Sequence, residues 1–105
     1  MALEGHITLY NGVDMTSAYI IVSEVRIRKI EGGTNQSDVF VAVYFNQTIK
    51  EENKPEVTTF IHRATGTTYD TYFDETVLDD AGKTIFSQAY VYLKSLNQYS
   101  TFADV

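Results

Sequence analysis

The feature that most constrains this chain is the run at residues 18–30, which has no Gly or Pro and is rich in Ile and Val. Side chains branched at Cβ fit a pleated surface, so the run predicts a long strand. Its odd positions carry Tyr19, Ile21, Ser23, Val25 and Ile27. Its even positions carry Ile20 and Val22, then Glu24, Arg26 and Arg28. A strand with one wet face alternates cleanly, as the second half does. The first half is apolar on both faces, which predicts cover on both sides, from a C-terminal helix or from a partner.

The neighbouring segments complete a sheet. Residues 7–10 alternate apolar and polar and lead into Asn11-Gly12, a pair suited to a tight hairpin turn. Residues 13–17 look irregular and are expected to be a loop. Residues 31–38 have turn composition. A strand follows at 39–45, with Val39, Val41, Val43 and Phe45 on one face and Phe40, Ala42 and Tyr44 on the other. Together with 18–30 it predicts an antiparallel hairpin. Residues 47–55, which hold the single proline, form a connection to a fourth strand at 57–63. Residues 64–74, rich in Thr, Gly and Tyr, suit a loop or a weak strand. Asp79-Asp80 offers a helix N-cap. Ile85, Ala89, Leu93 and Leu96 then make a helical stripe within residues 84–99. Tyr92, one position from Leu93, is expected near the surface, and the tail at 100–105 near a partner. The expected fold class is α+β: a mostly antiparallel, sandwich-like sheet of four or five strands with one C-terminal helix.

At 105 residues the chain suits a single domain over 1–105, with ~65% of its surface buried on folding. It has no cysteine, so disulfides, thiolate metal sites and cysteine nucleophiles are excluded. The net charge of −6 argues against nucleic-acid backbone binding. Residues 70–105 hold six acids against two bases, which a solvated face explains. The start of the chain lacks the pattern of a signal peptide, and no apolar run approaches the length of a membrane helix. The expectation is a protein made in the cytoplasm, with neither nucleic acid nor membrane as partner.

The search for chemistry finds no phosphate loop, metalloprotease helix motif or EF-hand pattern. His6 and His62 lie in strands and read as partly exposed strand residues, and no serine sits on a nucleophile elbow. The expectation is a non-enzyme with no catalytic residue, cofactor or metal site. Asp70, Asp74, Glu75, Asp79 and Asp80 are the densest carboxylates, but no glycine falls where a calcium loop bends. Helix capping and solubility account for them, and cation binding by this segment stays open. Arg26, Arg28 and Lys29 are flanked by Glu24 and Glu31, which suits ion pairs on a solvated strand. The eight tyrosines are the remaining signal, since tyrosine adds contact area at low entropic cost. The interface candidates are Tyr19, Ile20, Val22, Phe40, Tyr44, Tyr69, Tyr72, Tyr92 and Phe102.

The opening Met1-Ala2-Leu3-Glu4-Gly5-His6-Ile7-Thr8-Leu9-Tyr10-Asn11-Gly12, followed by Ala18-Tyr19-Ile20-Ile21-Val22, resembles the first strand, turn and long strand of small virion proteins of tailed bacteriophages. The ending, Ala89-Tyr90-Val91-Tyr92-Leu93-Lys94 and Phe102-Ala103-Asp104-Val105, is similar to their aromatic C-terminal helix and tail. The resemblance covers both ends of the chain and rests on packing patterns. It implies an assembly component of tail, baseplate, fibre attachment or collar, present in the virion. Its partners would be other virion proteins, with the chain itself in a homo-oligomer or multi-copy ring. The alternative is a binding module for carbohydrate or peptide that stacks ligand on Tyr69, Tyr72 and Tyr92.

Overall fold

The long strand is present and longer than expected. In the computed structural model, which describes residues 2–9, 11–79 and 82–105, β2 spans Asp14–Arg28. Before it lies β1 (Leu3–Thr8), and after it β3 (Gln36–Tyr44), α1 (Gln47–Glu51) and β4 (Thr58–Thr65). Three helices follow, α2 (Thr67–Phe73), α3 (Glu75–Leu78) and α4 (Ile85–Ser95). A 3-10 turn at Asn97–Tyr99 leads into β5 (Ala103–Asp104). The fold is α+β, and the five strands form one antiparallel sheet in the order β4-β3-β2-β1-β5.

Two bulges in β2 explain its mixed faces. Against β1, Gly5 pairs with Ala18 but Ile7 pairs with Met15, so β2 carries an extra residue at Thr16-Ser17. Against β3, Val22 pairs with Val41 and Glu24 with Phe40, so Ser23 is a second extra residue. Each insertion reverses which parity faces inward. The inner set is therefore Met15, then Ala18, Ile20 and Val22, then Val25 and Ile27. The expected odd face, which ran from Tyr19 to Ile27, is corrected at Ser23. The bulge's backbone is served by side chains: the Val22 N–H donates to Tyr90 Oη at 2.9 Å, and Ser23 Oγ donates to the Phe40 carbonyl at 3.2 Å.

The hairpin between β1 and β2 is direct, so the loop expected at 13–17 is strand from Asp14 onward. Gly12 has a φ of 90° and donates to the Leu9 carbonyl, while Leu9 N–H donates to Val13. The expected strand at 7–10 shifts to Leu3–Thr8, and Tyr10 lies outside the described residues.

Among the described residues no second sheet makes the sandwich; helices cover the inner face instead. The 64–74 stretch is not a loop or weak strand beyond β4, because Tyr69 and Phe73, one helical turn apart in α2, are both buried. Asp74 caps α3 by accepting from Thr76 N–H. The helix α4 is capped by Thr84 in a reciprocal box with Ser87, not by Asp79, which ends α3; Asp80 lies outside the described residues. Of the expected stripe, Ala89 and Leu93 are fully buried, Leu96 is half-buried and Ile85 is exposed. Tyr92 is buried, not near the surface, with its ring against Tyr72 and Phe73.

The tail is also part of the fold. Ala2 and Val105 exchange backbone hydrogen bonds at 3.0 and 2.9 Å, and β5 extends the sheet beyond β1. Phe102 is buried and lies flat over Gly5, where an added Cβ would come within 2.4 Å of its ring. Only a residue without a side chain lets the ring approach that closely.

Candidate functional site

The outer face of the sheet is graded along its strands. Cross-strand pairing makes rows of Tyr19 and Tyr44, then Ile21, Ala42 and Thr59, then Glu24, Phe40 and Ile61. The next row is Arg26, Asp38 and Arg63. The apolar end and the charged end meet at Phe40, over whose ring the Arg26 guanidinium sits at 4.9 Å. Arg63 pairs with Asp38 at 2.7 Å and Arg26 with Glu24 at 2.7 Å, so the basic strand face is tied up in ion pairs. The ion pair with Asp38 raises the Arg63 pKa further. The short helix α1 sits at the apolar end, with Lys50 Nζ 5.7 Å from the Tyr44 ring centre. Beyond it, Tyr19, Ile21, Phe40 and Tyr44 are half-buried, and Ile61 is 59% exposed.

On the inner face the helices stop short of one end. There a cleft of about 640 Å³ is walled by Ile7, Leu9 and Phe60, with Gln98, His62 and Tyr99 among its polar lining. Tyr99 is fully buried; its Oη lies 2.8 Å from His62 Nε2, and Gln98 Nε2 lies 3.2 Å from the same nitrogen. Burial lowers the His62 pKa and pushes the Tyr99 phenol up to about 12. Both groups are therefore neutral near pH 7. The bond between them orders this side of the cleft.

The edge of the sheet at β4 is divided. Gly66 N–H donates to the Asn35 carbonyl, which continues the pairing in which even-numbered β4 residues bond to β3. Odd-numbered residues thus turn their backbone groups outward. At Arg63 the outward carbonyl accepts from Tyr92 Oη at 3.2 Å, and α2 begins just beyond. At the other end the Val57 N–H is used by the Val43 carbonyl. Between them, the outward backbone groups of Thr59 and Ile61 have no bond to any described residue and lie beside the cleft.

The interface candidates fall into two groups. Tyr19, Phe40 and Tyr44 share the outer face, while Tyr72 is half-buried beside α4. Ile20, Val22, Tyr69, Tyr92 and Phe102 are buried in the core. The buried tyrosines instead direct hydroxyls at the chain's own backbone and side chains, Tyr90 at Val22, Tyr92 at Arg63 and Tyr99 at His62. The hydroxyls of Tyr69 and Ser37 are buried without a hydrogen-bond partner among the described residues. A polar groove lined by Thr67, Thr68, Thr71 and Tyr72 has Tyr92 at its base, leaving Tyr72 as its stacking ring. Ile61, Thr59 and the cleft were missed in the sequence; the apolar Phe60-Ile61 pair at adjacent positions was the available signal.

The remaining candidates have local partners. His6 contacts Asp14, whose carboxyl is held below the ordinary range by the Thr8 hydroxyl and by His6. Glu75 pairs with Lys29, and Asp74 is lowered by its bonds to Thr76. Among the described residues no cluster of three or more acids or histidines is placed to hold a metal ion. No described helix is long and apolar enough to cross a membrane. The chain matches no known family model, no curated protein and no solved structure.

Proposed function

We propose that the chain is a non-enzymatic structural protein of a tailed-phage particle, docking to other virion proteins in the tail, baseplate, fibre-attachment or collar region. The observation that carries this reading is the apolar end of the outer face, where Tyr19, Ile21, Phe40 and Tyr44, half-buried beside α1, adjoin the exposed Ile61. Apolar and aromatic side chains gathered on one face, rimmed by ion pairs, match the anatomy of a protein interface. The resemblance of both chain ends to small virion proteins supplies the setting. Carbohydrate or peptide binding is the competing role. It is supported by the threonine-lined groove at Tyr72, and weakened by the burial of Tyr69 and Tyr92.

The test is particle composition. Particles made by a phage genome encoding the chain should contain it in several copies. Phe40→Asp should deplete it from them while the isolated variant keeps its circular dichroism spectrum. Particles that assemble fully without the chain would refute the reading.

A further inference from the structure

We infer that the bare part of the β4 edge pairs with the same edge of a second copy of this chain, across a two-fold axis at Phe60. The inference deepens the assembly role proposed above and names one of its partners.

The register follows from which backbone groups are already used. Val57 N–H is given to Val43 and the Arg63 carbonyl to Tyr92, so the pairing must run through Thr59 and Ile61. A second copy satisfies both residues at once when Thr59 of each chain faces Ile61 of the other. Those two pairs are of the hydrogen-bonded kind, each exchanging both N–H···O bonds. Between them Phe60 faces Phe60 of the partner as a non-hydrogen-bonded pair, with Cα atoms about 4.5 Å apart, the closer of the two spacings. Aromatic pairs at such positions stabilise sheets. The axis runs through the sheet, so both inner faces stay on one side and the two clefts join around the paired rings.

Charge permits a copy of the same chain at this place. Each chain carries −6, yet residues 57–61 hold no charged side chain and His62 is kept neutral by burial. Pairing here sets no like charges opposite one another. The edge also lacks the usual guards against pairing, having no Lys, Pro or bulge between Thr58 and His62. The overlap is short, below the ~1,200 Å² of a stable interface, so the dimer is concentration-dependent.

Sedimentation velocity of the full chain from micromolar to millimolar concentration tests this, together with amide exchange at Thr59 and Ile61. A monomer–dimer equilibrium is expected, with both amides slowing as the dimer fills. Thr59→Pro removes an outward N–H and no bond to β3, so it should weaken association by roughly tenfold or more with an unchanged melt. Ile61→Lys should act likewise, and it decides the matter if the proline variant does not fold. A monomer at every concentration, or a dimer untouched by both substitutions, overturns the inference. Either result would leave the particle-composition test of the assembly role standing.

Discussion

The two edges of the sheet are finished in different ways. At the β1 edge the chain brings its own tail back, covering the start of β1 with β5 against Leu3 and Glu4, the Ala2–Val105 bonds and the Phe102 ring on Gly5. At the β4 edge one tyrosine hydroxyl covers one carbonyl, and among the described residues nothing bonds the outward backbone of Thr59 and Ile61. Exposed edges invite pairing, and proteins that work alone blunt both of them. The start of one edge is anchored by a buried aromatic, while the middle of the other carries outward backbone groups that a neighbouring strand can use. The difference separates what holds the monomer together from what is available to a neighbour.

Breaking the sealed edge has the largest expected effect. Phe102→Ala removes a buried ring and leaves a cavity over Gly5, which costs ~3–5 kcal/mol. That is a large share of the ~5–15 kcal/mol a domain possesses. The melting temperature should fall by more than ~10 °C, and a chain ending at Thr101 should lose at least as much. Urea or thermal melts measure both. A tail truncation with an unchanged midpoint would mean that β5 and Phe102 contribute nothing to the fold.

The tyrosine hydroxyls sharpen the comparison. Tyr90→Phe leaves the buried Val22 N–H at the bulge without its acceptor, at a cost of ~1–3 kcal/mol. Tyr92→Phe frees the Arg63 carbonyl at the rim, where water can replace the lost bond, and should cost only ~0.5–1.5 kcal/mol. The second substitution also lengthens the bare edge. It should therefore increase self-association while Tyr90→Phe does not, which sedimentation of the two variants at matched concentration would show. Equal association in both variants would mean Tyr92 is no edge guard.

Much of this asymmetry was written in the sequence, in places where strict alternation misreads it. The strand at residues 18–30 is legible from its β-branched run. Its inward face is not, because the bulge at Ser23 changes parity inside it. The three-residue intervals from Met15 to Ala18 and from Val22 to Val25, between apolar positions otherwise two apart, mark the insertions. The helix α2 is hidden by threonines with poor helical preference, although Tyr69 and Phe73 at a spacing of four are its signature. Gly5 within a strand hints at a close approach, but only the folded chain brings Phe102 to it. The outer-face candidates Tyr19, Phe40 and Tyr44 could be chosen from residue type. Tyr69 and Tyr92 could not be sorted from them, because tyrosine serves equally as a surface contact and as an internal donor.

The smallest expected effect lies beside the open edge, at His62. Burial lowers its pKa below the ordinary 6.5, so the native chain favours the neutral ring over the imidazolium. As pH falls through 6.5 the unfolded chain takes up this proton before the folded one does. The stability tied to the neutral ring is therefore complete above that pH and is lost as pH falls through the lower, folded-state value. Melting temperature should decline as pH falls below 6.5, and His62→Gln should flatten that decline. Asp14 and Asp74 act further down, because their lowered carboxyls contribute above 3.8 and lose that contribution only in stronger acid. A decline of the same slope in His62→Gln would place the titrating group elsewhere, and the bond between His62 and Tyr99 would then have no part in how the cleft is held.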